Sequence, residues 1–255
     1  MLLNALKIYG VDLVRILQSV RGIPKYFLSY LRFRSVRPKG WPIRLRPYLS
    51  DFYDNSGRVT THYFKQDIFV AREIYQRKPK RHIDIGSRVD GFISHLAVFT
   101  EVEVIDIRGN NKIDPRIKFI QADICKVTAS HIGTTESISC LHTIEHIGLA
   151  RYGDPIGSTL WIEAVDRIFG LLSAGGVAYL STPIGLKRLE FNAQRIYDLE
   201  ELLGFLQQRG AVEKVAIIND QDELAEYIDI AQLPFIESKQ WKFGCGIFVI
   251  RKPAI

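Results

Sequence analysis

The sequence predicts an α/β fold built on an open, mostly parallel sheet. A short apolar run at residues 82–85 is followed by a glycine-containing stretch at 86–91, which is the pattern of a buried strand entering a tight turn. Apolar residues at helical spacing come next, and a second apolar run at 102–107 contains Asp106. An acid about 20 residues beyond such a turn is placed to accept hydrogen bonds from a ribose diol. These observations predict the nucleotide-binding half of a doubly wound fold.

Length and composition set the domain count and the compartment. A chain of 255 residues, of which 47% are hydrophobic and 24% charged, is large enough for one full α/β core with an appendage. Its three cysteines are scattered without the close spacing of a metal motif, so free thiols in a reducing compartment are expected. The sequence shows neither a run long enough to span a membrane nor a secretory signal. We therefore predict a cytoplasmic protein.

Positive charge is concentrated at the start of the chain. Residues 1–50 contain ten Lys or Arg against one acid, so the remaining residues sum to −3 within a total of +6. We divide the chain into a basic helical N-terminal extension, residues 1–58, and a body, residues 59–255. The acidic body argues against a nucleic-acid partner.

Two helices are predicted in the extension, one over 2–20 that ends at Gly22 and Pro24, and one over 25–37. Two interpretations remain open for them. They form a cap on the body with a solvated basic face, or residues 1–46 contact an anionic membrane surface or a phosphorylated substrate.

The body alternates between helical and strand patterns. The connection at 108–116 is too short for an ordinary crossover helix, so a turn or irregular coil is expected there. The stretch 219–242 is expected to be a long variable connection, and the last strand is expected to pair antiparallel. The predicted strands are residues 82–85, 102–107, 117–122, 137–141, 177–182, 212–218 and 245–250, and the predicted helices are 63–77, 92–99, 159–172 (ended by Gly175 and Gly176) and 198–209.

The glycine turn resembles the cofactor loop of class I S-adenosylmethionine-dependent methyltransferases. Asp84 and Gly86 match the opening of that loop, Gly91 matches its closing glycine, and Arg88 stands where the middle glycine belongs. The resemblance implies a Rossmann-like sheet of seven strands that binds S-adenosylmethionine, with a helix before the first strand that closes over the cofactor. An acid such as Asp123, at the end of the third strand, often binds the adenine amino group in that superfamily. The implied cofactor residues are Asp84, Gly86, Ser87, Gly91, Asp106, Ile107, Asp123, Ile124 and Leu141.

Four further segments, 139–148, 151–155, 183–185 and 191–193, resemble the methyltransferase-like DUF268 family. That family is labelled as a domain of unknown function and is often associated with surface-polysaccharide genes. The resemblance implies O-methylation of a sugar in a surface glycan or its precursor, with a nucleotide sugar or lipid-linked sugar as substrate. The alternative is a non-catalytic protein of the same fold that acts as a binding or scaffold subunit in a glycan-assembly complex.

Chemistry is expected after the fourth strand, at His142, Glu145 and His146. These three residues share a face if the segment turns helically, and they follow a strand end, where α/β sheets bind ligands. Three interpretations remain open. A histidine acts as the general base for a sugar hydroxyl, or all three residues bind a divalent metal, or Glu145 and His146 shape the cofactor pocket through hydrogen bonds.

Overall fold

The computed structural model describes residues 12–37, 39–54, 62–110 and 114–254. The chain separates into two compact units, Met1–Val59 and Thr60–Ile255. Within the described ranges, no helix combines the length and the apolar character needed to cross a membrane.

The described part of the first unit is dominated by one helix, α1 (Leu13–Val36), which begins at an N-cap formed by Asp12. The prediction that a helix ends at Gly22 and Pro24 is wrong, because α1 continues through both residues. The fixed φ of proline is compatible with a helix, so Pro24 removes one backbone hydrogen bond without stopping the chain. Gly22 is buried, and a Cβ there would lie 2.0 Å from the carbonyl oxygen of Leu49. The predicted helical residues 2–11 lie outside the described residues.

The second unit is built on one sheet of eight strands in the order β3-β2-β1-β4-β5-β10-β8-β9. Strand β10 runs antiparallel to both β5 and β8. All seven predicted strands and the antiparallel last strand are confirmed, and β9 is an additional short strand in the connection 219–242. The sheet strands are β1 (Arg81–Ile85), β2 (Glu101–Asp106), β3 (Ile117–Gln121), β4 (Thr135–Leu141), β5 (Leu172–Ile184), β8 (Ala211–Ile218), β9 (Leu224–Ala225) and β10 (Gly244–Arg251), and β6 (Arg188–Glu190) pairs with β7 (Gln194–Ile196) in a separate hairpin.

The helices of this unit are α2 (His62–Arg77), α3 (Ser94–Leu96), α4 (Ala129–Ile132), α5 (Leu160–Leu171) and α6 (Leu199–Gln207). The helix expected at 92–99 is instead a π-helical turn, Val89–Ile93, followed by the single turn α3. The two glycines expected to end α5 lie inside β5, because the backbone is already extended at Leu172. No helix occupies the described residues between β2 and β3, as the short connection predicted.

Apolar side chains alternate between the two faces of the sheet. On β4, Ile138 and Cys140 pack into one core with α5 and α6, while Leu141 packs into the other core with α2 and the π-helical turn. This period-two pattern buries both faces. The neighbouring strands β1, β2 and β4 are parallel, so their carboxyl ends meet at one edge, where ligands bind in open α/β sheets.

Candidate functional site

A cavity of about 380 Å³ lies at the carboxyl ends of the parallel strands. Residues from α2, from the turn after β1, and from the loop after β4 complete its walls. Asp84 and Gly91, both predicted to bind cofactor, are not among the lining residues. The other predicted cofactor residues line the cavity together with two of the predicted catalytic residues: Gly86, Ser87, Asp106, Ile107, Asp123, Ile124, Leu141, His142 and His146.

The turn after β1 is held by Asp84, which is fully buried beneath the cavity. Its carboxylate accepts hydrogen bonds from the Ser87 backbone N–H (2.9 Å), from the Ser87 hydroxyl (2.7 Å) and from the Ser139 hydroxyl. Burial raises the pKa of Asp84 to about 6, although these hydrogen bonds act in the opposite direction. Asp84 therefore fixes the shape of the turn after β1.

Gly86 lets this turn approach the loop after β4. Its φ is +71°, in the left-handed region, and a Cβ there would lie 2.6 Å from Cγ2 and 2.9 Å from Oγ1 of Thr143. Only glycine satisfies both the dihedral angle and the close approach.

A buried polar chain continues from Asp84 into the sheet. The His82 ring lies between the hydroxyls of Ser137 (Nδ1, 2.7 Å) and Ser139 (Nε2, 2.8 Å). Complete burial lowers the pKa of His82 to about 3, so the ring is neutral. Because Ser139 donates its only proton to Asp84, Nε2 of His82 donates to Ser139 and Nδ1 accepts from Ser137. This chain fixes the position of the Asp84 carboxylate.

The acid at the end of β2, Asp106, is already paired. It accepts hydrogen bonds from the backbone N–H (2.8 Å), Nε (3.0 Å) and Nη2 (2.6 Å) of Arg108. The guanidinium of Arg108 also lies over the ring of Tyr152, 4.5 Å from its centroid. A ribose diol at Asp106 would therefore share or displace Arg108.

Asp123 caps a turn and also lines the cavity. Its Oδ1 accepts the backbone N–H of Cys125 (3.0 Å) and so caps the 3₁₀ turn Ile124–Lys126. The same residue lines the cavity, so capping does not exclude a cofactor contact.

His142 follows β4 in an uncommon backbone conformation, with φ at +48°. Its backbone N–H donates to the carbonyl of Ser181 (3.0 Å), and its Nδ1 donates to Oε1 of the fully buried Glu145 (2.9 Å). Its Nε2 is buried and makes no hydrogen bond. Burial acts to lower the pKa of His142, but the Cys245 sulfur and the Glu145 carboxylate outweigh burial and raise that pKa well above its usual range.

His146 presents a free nitrogen at the cavity. Its Nδ1 donates to the carbonyl oxygen of Ala193 (2.7 Å), which leaves the Nε2 lone pair available. Burial lowers the pKa of His146, so the ring is neutral near pH 7. Glu145 lies 3.8 Å from this Nε2. The segment after His142 forms a turn rather than a helix, so the three predicted catalytic residues meet around Glu145 and do not share a helical face.

Several lining residues were missed from the sequence. Tyr63, Gln66 and Asp67 reach the cavity from the first turns of α2, while Tyr152 and Asp154 reach it from the loop after His146. The buried pair Gln66 and Asp67 interrupts the apolar face of α2, and this was the available signal. The loop residues follow neither helical nor strand periodicity, so the sequence offered no signal for them. Asp154 shapes the loop by accepting hydrogen bonds from the backbone N–H groups of Gly148 (2.8 Å) and Tyr152 (3.1 Å).

The fold of the second unit is similar to several solved structures. The 1,6-didemethyltoxoflavin-N1-methyltransferase of Burkholderia thailandensis is 13% identical over 76% of this chain and 80% of its own, with a TM-score of 0.52. The [4+2]-cyclase SpnF is 12% identical over 80% of this chain and 86% of its own, with a TM-score of 0.52. The N-methyltransferase NodS of Bradyrhizobium japonicum WM9 is 13% identical over 74% of this chain and 97% of its own, with a TM-score of 0.50.

These similarities show the class I methyltransferase fold. No curated protein matches the chain. The model of the family described as "Caenorhabditis protein of unknown function, DUF268" matches residues 91–241, which is more than half of the chain, and the chain therefore belongs to the DUF268 family.

Proposed function

We propose that this protein is an S-adenosylmethionine-dependent methyltransferase that methylates a hydroxyl of a sugar in a surface glycan or glycan precursor. One observation carries the proposal. A single cavity at the carboxyl edge of the sheet joins a glycine turn, two strand-end acids and a neutral histidine with a free nitrogen. Two of the similar structures are of proteins named methyltransferases, and the Burkholderia protein was solved with S-adenosylhomocysteine.

The residues of the cavity fit the cofactor. Gly86 lines the cavity and carries no side chain, which lets a ligand approach the backbone of the turn. Asp106 would hold the ribose and Asp123 the adenine, and both residues line the cavity. Bound here, S-adenosylmethionine supplies an electrophilic methyl group.

The chain itself must orient the acceptor and take its proton. His146 suits the second task, because it lines the cavity, its Nδ1 is tied to the Ala193 carbonyl and its Nε2 keeps a lone pair. As the acceptor oxygen gains a methyl group, its proton passes to Nε2, and the imidazolium formed lies beside the carboxylate of Glu145. We therefore assign the base to His146, with Glu145 as the group that stabilises its charged form.

An aromatic ring at the cavity supports a sugar acceptor. Tyr63 lines the cavity with an exposed fraction of 43%, whereas the Arg108 guanidinium lies over the ring of Tyr152. A half-exposed ring offers an apolar face to the C–H side of a sugar, while its hydroxyl stays in contact with water.

The assay measures release of S-adenosylhomocysteine from the full-length protein with a panel of nucleotide sugars and lipid-linked glycans. On the acceptor that supports turnover, His146→Ala should lower kcat by about 10²–10⁴-fold while cofactor affinity stays unchanged. The matched control is the exposed His131→Ala, which should retain full activity. Equal activity of His146→Ala and His131→Ala would refute the assignment of the base.

One observation favours the alternative of a non-catalytic binding or scaffold subunit. Arg108 occupies both carboxylate oxygens of Asp106, and such a pair could close the ribose site permanently. SpnF, named a cyclase, also has this fold, so the fold does not prescribe methyl transfer. Calorimetry with S-adenosylhomocysteine separates the two functions. An enzyme must bind this ligand, whereas a protein whose ribose site is closed at Asp106 will not bind it even at millimolar concentration.

A further inference from the structure

Three potential metal ligands meet beside the cofactor cavity, on elements far apart in sequence. His62 is the first residue of α2, His142 follows β4, and Cys245 lies near the start of β10. One ligand atom from each residue lies within 4.8 Å of the other two, and all three residues are buried. Among the described residues this is the only such group of three. Of the residues predicted to bind metal (His142, Glu145 and His146), only His142 belongs to this group.

The distances suit a single ion. Bonds of roughly 2.0–2.1 Å to nitrogen and 2.3 Å to sulfur place the ligand atoms of a tetrahedral zinc site roughly 3.3–3.6 Å apart. Ligand atoms within 4.8 Å of one another would reach that geometry by moving closer together by about 1 Å.

His142 provides independent evidence for a ligand. Its side chain is only 3% exposed, its Nδ1 is committed to Glu145, and its Nε2 has no hydrogen-bond partner. An unpartnered buried nitrogen is costly, and a histidine whose other nitrogen donates to a carboxylate is the usual arrangement of a metal-bound imidazole. His142 also holds the left-handed φ of +48°, and such conformations are concentrated at functional sites.

The other two residues are held in place by their surroundings. Phe243 stacks on the His62 ring with centroids 5.4 Å apart, which fixes the plane of the imidazole. The Cys245 sulfur is fully buried. It lies 3.7 Å from Oε1 of Gln66, so the hydrogen bond that the thiol donates to Gln66 is weak.

We propose that His62, His142 and Cys245 bind one divalent transition-metal ion of the zinc type, with a fourth position left for water or for an oxygen of the acceptor. Two imidazoles and a thiolate select a borderline ion, whereas Mg²⁺ and Ca²⁺ require oxygen ligands. Binding displaces the thiol proton of Cys245 and the proton that Nε2 of His142 carries when its ring is charged, and both leave to solvent as the sulfur–metal and nitrogen–metal bonds form, without oxidation or reduction. His142 and Tyr63 also line the cofactor cavity, so the ion would adjoin the space available to an acceptor.

The first experiment uses Co²⁺ as a spectroscopic probe of the reduced full-length protein. We expect one equivalent to bind, with a thiolate-to-cobalt charge-transfer band that Zn²⁺ abolishes on addition. Cys245→Ser should lose the band, and His62→Gln should weaken Co²⁺ binding at least about tenfold. The matched controls are Cys125→Ser, whose thiol donates to the carbonyl of Leu160, and the exposed His131→Gln, and both should behave as the wild type.

A second variant tests the orientation of His142. Glu145→Gln keeps the shape of the side chain and an oxygen that accepts from Nδ1 of His142, but it removes the charge. We expect metal affinity to fall about 10–100-fold while the charge-transfer band keeps its position. Unchanged affinity would show that Glu145 does not orient a metal ligand.

Two results would overturn the site. One is the absence of stoichiometric Co²⁺ binding, and the other is a charge-transfer band that survives Cys245→Ser or disappears in Cys125→Ser. Should Cys245→Ser fail to fold by circular dichroism, X-ray absorption of the zinc-loaded wild type decides. The proposal requires one sulfur at about 2.3 Å and nitrogens at about 2.0–2.1 Å, and a shell without sulfur refutes it. None of these readouts depends on methyl transfer.

Discussion

Replacing Gly86 with alanine tests the cofactor turn directly. The substitution adds a Cβ to a residue whose φ is +71°, at a point 2.6 Å from the Thr143 side chain. Two costs follow. The left-handed backbone disfavours an L-residue, and the new methyl group overlaps Thr143.

The two costs have separate magnitudes. A left-handed conformation costs an L-residue about 1–2 kcal/mol, and overpacking in a tight site costs about 1–3 kcal/mol. Gly86→Ala should therefore lower the free energy of unfolding by about 2–5 kcal/mol. Gly175 is a matched control, because its φ is +72° and no atom lies within 4 Å of its added Cβ. Gly175→Ala should carry only the backbone cost.

Urea unfolding of both variants and of the wild type measures the difference. Truncating the partner as well, in Gly86→Ala/Thr143→Ala, should recover part of the overlap cost but none of the backbone cost. The overlap also displaces a cavity wall, so Gly86→Ala should weaken binding of S-adenosylhomocysteine in calorimetry, whereas Gly175→Ala should not.

Equal destabilisation by Gly86→Ala and Gly175→Ala would refute the close approach to Thr143. A Gly86→Ala protein with wild-type stability and cofactor affinity would refute both parts of the reasoning.

Three further predictions follow from the charged groups. Asp106→Ala should weaken cofactor binding by about 1–3 kcal/mol in calorimetry, whereas Asp114→Ala, which breaks the equivalent but exposed pair with Arg116, should not. The folded-state pKa of Asp84 is raised to about 6 from its ordinary 3.8, so its stabilising contribution is complete below 3.8 and is lost as pH rises through 6. Asp84→Asn cannot titrate, so its free energy of unfolding should rise by about 3 kcal/mol relative to that of the wild type as the pH increases from 4 to 7. Urea unfolding at several pH values measures this difference. Deleting residues 1–46 should reduce flotation with anionic vesicles at low salt. This segment is basic, and its described helix leaves Leu17, Val20 and other apolar side chains about half exposed. The difference between the two forms should vanish at high salt. Equal flotation of both forms would contradict membrane contact.

The positions of the strands along the chain were predictable because local sequence patterns indicate them. Apolar runs near Ile83, Val104 and Ile138 end at polar residues, and burial of both sheet faces requires such runs. Parallel connectivity then brings their ends to one edge, so the contributions of Gly86 and Asp106 to one cavity followed from order along the chain.

Predictions were wrong where a single residue had to decide between neighbouring structures. Pro24 usually ends a helix, but the packing of Gly22 against Leu49 accompanies a helix that continues. A shared face for His142, Glu145 and His146 depended on a helical turn after β4, and the positive φ of His142 interrupts that geometry. His142 and Glu145 are nonetheless hydrogen-bonded through Nδ1 and Oε1.

The sequence by itself determined the order of strands along the chain, the glycine turn and the acids at the strand ends, since each depends on residues adjacent in the chain. The tertiary structure alone decided what the side chains do. It paired Asp106 with Arg108, gave His146 a free Nε2 by tying Nδ1 to Ala193, and brought Cys245 to His142 from more than a hundred residues away. These contacts depend on how elements that are far apart in the sequence pack against one another, and the spacing of residues along the chain does not specify that packing.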